Sequence, residues 1–296
     1  MRIFHGSIRK KLIVLVLLAT TPVFLVLLGA ELINKREAVK AAKTDTVTFL
    51  SGFAEIQRRI TESTHTLLRT VASMPVIRKL SIEESRIILE TLLQTNPLYT
   101  NVILVNLSGD VVAAGRNHER AINLNFADRK QFKDAIVGKS FAAGEFTVGK
   151  SSKKAIFPFG MAVLDREGEP CGALIVGVNL NYYGELFERG EYPGNPFIGI
   201  ADYKGLRLFR YPISPKTEIG VPIKKEVFLA ASTSRQEGSI VAMTSDGKER
   251  VIIFDSLVID NGTDPYMYMF MGFDHALIQE RAHLVFLRLV FASCLS

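Results

Sequence analysis

The chain has 296 residues, 48% of them hydrophobic, and a formal net charge of +6. That is enough apolar material for one or two packed domains, so the composition argues against wholesale disorder. The positive charge is scattered rather than blocked, which argues against a nucleic-acid partner. The two cysteines stand in unrelated contexts and the five histidines are dispersed. Neither a disulfide framework nor a metal site is suggested, and no cofactor is expected.

In chain order, the first strong signal is residues 12–30, LIVLVLLATTPVFLVLLGA, which carry no charge. About 20 apolar residues span a bilayer core. Arg9, Lys10 and Lys11 stand just before the run, and the positive-inside rule then puts the N-terminus in the cytoplasm. The expectation is a cytoplasmic tail over residues 1–11, a transmembrane helix over 12–33, and a body outside the membrane. A cleaved signal peptide ending near Leu28-Gly29-Ala30 is the competing reading, but the run exceeds the roughly 7–15 residues of a signal core. Pro22 is of a kind that membrane helices tolerate.

Residues 34–73 read as a stalk helix, roughly 60 Å long at about 1.5 Å per residue. Val39, Ala42, Thr46, Phe49, Phe53, Ile56, Ile60, Ser63 and Leu67 recur at heptad spacing, with a second apolar face at Leu50, Leu68 and Val71. The seam predicts a parallel homodimer of stalk helices. Met74-Pro75 ends the helix. Ser81 followed by Glu84 fits a capping box for a short helix that stops before Asn96-Pro97.

The period then changes. Residues 100–114 form two β-rich runs around the turn Leu107-Ser108-Gly109-Asp110. "ADRKQFKDA" at 127–135 starts a short amphipathic helix, in which Asp128 is a candidate cap that could pair with Arg129 or a nearby lysine. Lys150, Lys153 and Lys154 read as a solvated loop. A strand, a turn over Asp165 to Glu169 and a second strand over Ala173 to Leu180 follow. After a Gly- and Pro-rich stretch, 190–196, come hairpins turned at Asp202 to Gly205 and at Ser245-Asp246-Gly247. A closing strand follows, and then a helix capped by Asp274. The apolar run from Leu284 onward reads as the start of a second membrane helix, or else as a buried terminal helix. Antiparallel hairpins with helices grouped to one side predict an α+β fold. No GxSxG elbow or carboxylate pair suggests an enzyme.

These residues resemble the double Cache module, the PAS-like extracytoplasmic sensor region of bacterial transmembrane receptors. "ADRKQFKDA" is similar to the family's Asp-Arg-x-x-Phe-x-x-Ala helix. "GEFTVGKSSKKAIFPFGMAVLDREGEPCGALIVGVNL" is similar to its strand-turn-strand. The resemblance covers about residues 31–283. It implies a membrane-distal module over 74–190, a membrane-proximal module over 191–273, and a descending helix over 274–296 that enters a truncated second span. It also implies a small-molecule pocket in the distal sheet. One subgroup binds amino acids through an Arg-x-Trp-Tyr helix motif and an Asp on the last strand. Here Arg129 matches the Arg, Gln131 stands for Trp, Phe132 for Tyr and Asn179 for the Asp. Without that carboxylate an ammonium lacks its charge partner. The implied ligand is therefore a small anionic metabolite. Arg129 would anchor it, Phe132, Phe146 and Phe157 would wall it, and Gln131 and Asn179 would orient it.

The expected function is extracytoplasmic small-molecule sensing and transmembrane signalling, as the input region of a sensor histidine kinase. The alternatives are a diguanylate cyclase or chemoreceptor input, or a membrane-anchored binding protein without signalling.

Overall fold

A computed structural model describes residues 8–188, 196–213, 217–234, 237–259, 262–274, 276–278, 280, 283 and 284; the side chains of residues 8–11, 13, 14, 23, 24 and 27 are outside that description. The stretch 190–195 at the expected module boundary and the apolar run beyond Leu284 also lie outside the described residues.

Helix α1 runs unbroken over Ile8–Ala72, 65 residues. Along its second half Leu50, Ala54, Gln57, Thr61, Thr64, Leu68 and Val71 are buried. Their steps of three and four residues put them on one helical face. This stripe contains the second apolar face read from the sequence, and it packs on the chain's own body. The heptad seam divides. Thr46 is buried, and Phe53 packs edge-on against Phe187 at 4.5 Å between ring centroids. Phe49 and Ile56, one heptad apart, remain 36% and 37% exposed. Among the described residues no helix is long and apolar enough to cross a membrane.

Pro75 ends the stalk and opens the single turn α2 (Pro75–Arg78). Helix α3 (Ile82–Thr95) starts after Ser81, whose hydroxyl makes no capping hydrogen bond. The capping box is thus not formed. The start relies on the Ser85 amide donating to the Ser81 carbonyl, while Glu83 is held by Arg86 at 3.0 Å.

The first sheet comprises β1 (Tyr99–Asn106), β2 (Val111–Ala114), β3 (Phe141–Ala143), β4 (Thr147–Val148), β5 (Ala155–Leu164) and β6 (Pro170–Asn179). Its order is β2-β1-β6-β5-β3, with β4 paired to β5. Between β2 and β3 lie α4 (His118–Ala121) and α5 (Lys130–Gly138), and α6 (Asn181–Glu188) follows β6. The second sheet comprises β7 (Phe197–Asp202), β8 (Arg207–Tyr211), β9 (Gly238–Met243), β10 (Glu249–Leu257) and β11 (Met267–Phe273), with α7 (Lys225–Thr233) between β8 and β9. Its order, β8-β7-β11-β10-β9, repeats the path of the first sheet. All pairings between strands are antiparallel. The four hairpin turns fall where the sequence places them. Gly109 shows why one needs glycine: its φ is +81°, and a Cβ there would stand 2.4 Å from the Ala127 nitrogen.

One apolar core runs beneath α1 from the first sheet to the second, through Leu68, Phe157, Phe159, Met267 and Met269. Polar groups of the stalk are tied into it. Tyr183 of α6 donates to Gln57 Oε1, Thr61 Oγ1 lies 2.8 Å from the Tyr266 hydroxyl, and Thr64 Oγ1 lies 2.9 Å from that of Tyr99. Buried hydroxyls that find partners on α1 fix its register over both sheets. The opposite face of each sheet has its own smaller cluster, around Phe126 and Phe132 under α5 and around Phe197, Val227 and Phe270 under α7.

Candidate functional site

A cavity of about 390 Å³, counted to its open mouth, lies between α5 and the outer face of the first sheet. The sheet supplies its floor by a local irregularity. The β1–β6 register shifts between Tyr99 and Asn101. Such a bulge turns successive side chains to one face, and both Thr100 and Asn101 line the cavity. Asn101 is fully engaged: its Nδ2 donates to the Arg116 carbonyl at 2.9 Å and to Ser151 Oγ at 3.0 Å, and its Oδ1 accepts from the Val102 amide.

From α5 the cavity receives Arg129 and Gln131. Arg129 is the N-cap of α5. Its guanidinium donates to Thr147 Oγ1 at 2.8 Å and lies 3.6 Å from Asp128. Asp128 turns outward to Lys150 at 2.8 Å, whose hydrogen bond holds the carboxyl below its usual range. Lys150 also donates to the Asn125 carbonyl and stands 5.3 Å from the centre of the Phe126 ring. Gln131 is 3% exposed and lines the cavity. A carboxamide offers both donors and an acceptor, so in this position it is suited to a ligand or water in the cavity. No carboxylate side chain lines the cavity. Its fixed charges are Arg129 and Lys150.

Four residues named from the sequence lie elsewhere. Phe157 points from β5 to the stalk side; side chains alternate along a strand, so Ile156 and Pro158 face the cavity instead. Phe132 follows Gln131 by one helical step, about 100° around the axis, and packs into the apolar cluster over β1 and β6. Phe146 leaves the first sheet altogether. Its amide donates to Asp202 at 3.0 Å, and its ring lies against Gly220. Asn179 ends β6, and its Oδ1 accepts from the Asn181 amide at the start of α6. Conversely, Thr147, Lys150, Ser151 and Ser152 line the cavity from the loop before β5. The small polar run TVGKSS just ahead of a strong strand is the signal that marks them.

The second sheet has a small open cleft in the equivalent place, between its outer face and α7. Arg207 and Arg210 enter it from β8, and Thr244 and Ser245 from the β9–β10 turn. Asp246 in that turn accepts from Arg250 at 2.7 Å and from Arg210 at 3.0 Å. Burial alone would push its carboxyl up, but hydrogen bonds from Arg250 and Thr244 and the charge of Arg210 outweigh burial and hold it far below the usual range. A group with a depressed folded pKa stabilises fully above its unfolded value, about 3.9, and loses that contribution as pH falls towards the folded value. Asp246→Asn is therefore expected to lower the melting temperature most at neutral pH. The gap from wild type should narrow between about pH 5 and pH 2. Thermal melts of both proteins across that range check it, and a pH-independent gap would contradict the pairing. Among the described residues no group of His, Cys, Asp or Glu could hold a metal ion.

No family model and no curated protein matches the sequence. Solved structures do. The extracellular domain of mmHK1S-Z3, described as a histidine kinase, superposes with a TM-score of 0.66 at 14% identity, covering 83% of this chain and 99% of that one. The ligand-binding domain of Mlp24 with asparagine gives 0.63 at 17% identity, over 84% and 99%. That of the Pseudomonas fluorescens chemoreceptor CtaA in complex with L-serine gives 0.58 at 15% identity, over 81% and 97%. Two sheets of one strand order in series on a single long helix, matched along nearly the whole length of such domains, give this chain the double Cache fold of bacterial extracytoplasmic sensory domains.

Proposed function

We propose that the chain is an extracytoplasmic sensor whose first cavity binds a small carboxylate. The observation that carries this reading is the cavity under α5, which Arg129 and Gln131 line and which no acidic side chain lines. A guanidinium fork matches a carboxylate bidentately. Several solved relatives of the fold hold amino acids: asparagine in Mlp24, and serine, isoleucine and leucine in CtaA. An α-ammonium in this cavity would meet carbonyl and hydroxyl oxygens only, so acids without an amine are favoured here.

The signal path in this reading is α1. It touches both sheets through its buried stripe and continues into the apolar run. The large apolar residues of that run that stand exposed, from Leu12 to Ile33, are 41% to 74% exposed. Exposed leucines and valines in such number are stable in contact with lipid rather than water. His283 lies 2.8 Å from Glu31, so the chain returns to the foot of α1 beside that run. Ile56, 37% exposed, lies on the side of the stalk that would face a second copy of it. Binding would shift the populations of two stalk arrangements and pass the difference to an output region, of a histidine kinase or of a chemoreceptor.

Titration of the full chain with carboxylates, amines and amino acids tests the site. Loss of a charge-assisted bond costs about 1.5–3 kcal/mol. Arg129→Ala is thus expected to weaken any carboxylate bound in the first cavity by about 10- to 150-fold. Unchanged affinity in a normally folded variant would remove the first cavity as the sensing site.

A further inference from the structure

The second sheet concentrates buried cations that the first cavity's role does not use. Arg207, Arg210 and Arg250 are 4%, 8% and 6% exposed. Their convergence depends on a bulge. The β7–β8 register shifts between Ile200 and Ala201, so that Arg207 lies opposite Ala201 while Arg210 lies opposite Gly199. Residues three apart on a regular strand would face opposite ways. Here the extra residue puts both arginines on the outer face and leaves Leu208 and Phe209 in the core beneath α1.

The charge in this cluster does not balance. Among the described residues Asp246 is the only carboxylate paired with the three arginines. Arg207 has no acidic partner; it donates to the Glu218 carbonyl and to Ser245 Oγ, each at 2.9 Å. The Nε atoms of Arg210 and Arg250 are buried with no hydrogen-bond partner. Burial pushes the Arg207 guanidinium down, and burial with the neighbouring Arg250 and Arg207 charges does the same to Arg210 despite Asp246. A buried cation without a counter-charge is expensive. Packing supplies part of the offset, since Arg210 and Arg250 stand 4.7 and 5.5 Å from the centre of the Phe197 ring. It supplies no negative charge. The cavity beside the cluster does have room for one. Phe197, Ile223, Val227 and Phe270 wall it, and the exposed Lys224 stands at its edge.

We propose that this cavity is a second ligand site, specific for a small organic carboxylate with a short apolar body. The carboxylate meets Arg207 and Arg210, Lys224 adds charge at the mouth, and the apolar part lies against Phe197 and Val227. Arg250 does not line the cavity; it holds Asp246, and Asp246 restrains Arg210. The site is separate from the cavity under α5 and stands or falls independently of it.

The test uses the full chain in detergent with Arg129→Ala, so that the first cavity lacks its charge anchor. Propionate, pyruvate, succinate and inorganic phosphate are titrated by calorimetry. At least one carboxylate is expected to bind. Arg207→Gln should then weaken it by about tenfold or more, the loss of one charged hydrogen bond. Asp246→Asn should tighten it, because the competing carboxylate is gone. Lys224→Gln, at an exposed position that folding does not depend on, should weaken it as well, and this keeps the test decisive if Arg207→Gln fails to fold. The proposal is overturned if no carboxylate binds at millimolar concentration. It is equally overturned if binding ignores Lys224→Gln and Asp246→Asn, or if phosphate binds as tightly as the carboxylates.

Discussion

Phe157→Ala is expected to destabilise the protein by about 3–5 kcal/mol, the range for removing a fully buried aromatic ring. Phe157 is 1% exposed. Its ring packs edge-on to Phe159 at 5.2 Å and lies 5.9 Å from Tyr266, just ahead of β11. It therefore belongs to the core shared by both sheets and the stalk, and its removal leaves a cavity where three elements meet. The loss should appear in urea unfolding as a lower midpoint with little change in slope. The same variant separates two roles for this residue. Phe157 faces away from the first cavity, whose β5 wall is Ile156 and Pro158. Folded Phe157→Ala protein should accordingly bind carboxylate as the wild type does. A large loss of affinity with little loss of stability would restore Phe157 to the pocket wall.

Gly160→Val carries the second large effect. Gly160 lies in β5 where α5 crosses it, and a Cβ there would stand 2.3 Å from the Gln131 carbonyl oxygen. That obstacle is backbone, so no rotamer change relieves it. Overpacking a tight site typically costs about 1–3 kcal/mol, and a backbone obstacle places this substitution near 3 kcal/mol. The displacement also acts on function. To admit the side chain α5 must lift, carrying Arg129 and Gln131 with it. The variant is expected to lose both stability, by urea unfolding, and carboxylate binding, by calorimetry. Wild-type stability would mean that α5 does not seat on β5 through this contact.

Much of this architecture was legible in the chain. The stalk, α3, α5 and the four hairpins follow from local signals: a three-to-four periodicity without proline, alternation of apolar residues, and Gly-containing turns; α4, α6 and α7 were not read from the sequence. The resemblance singled out Arg129 and Gln131, and the structure places both at the first cavity. It does not place the aromatic walls there. The resemblance implied Phe132, Phe146 and Phe157 as walls, yet each of their environments is set by a partner remote in sequence. Phe157 follows strand parity towards α1, Phe132 follows the helical turn into the sheet, and Phe146 reaches Asp202 and Gly220. Ser81 shows the same limit in small: the spacing of a capping box with Glu84 was present, but the serine hydroxyl makes no capping bond.

By itself, then, the sequence determined the stalk, α3, α5, the main strands with their turns, and that the fold is α+β. Those choices are made by neighbours along the chain. Tertiary structure alone decided which face each side chain takes and what it meets there. Two bulges illustrate the physical reason. At Tyr99/Asn101 and at Ile200/Ala201 the pairing slips by one residue. Each slip reverses the alternation for the rest of the strand and turns polar groups into a cavity: Thr100 and Asn101 in one, Arg207 and Arg210 in the other. A slip is a property of two strands in register, and no single segment encodes it.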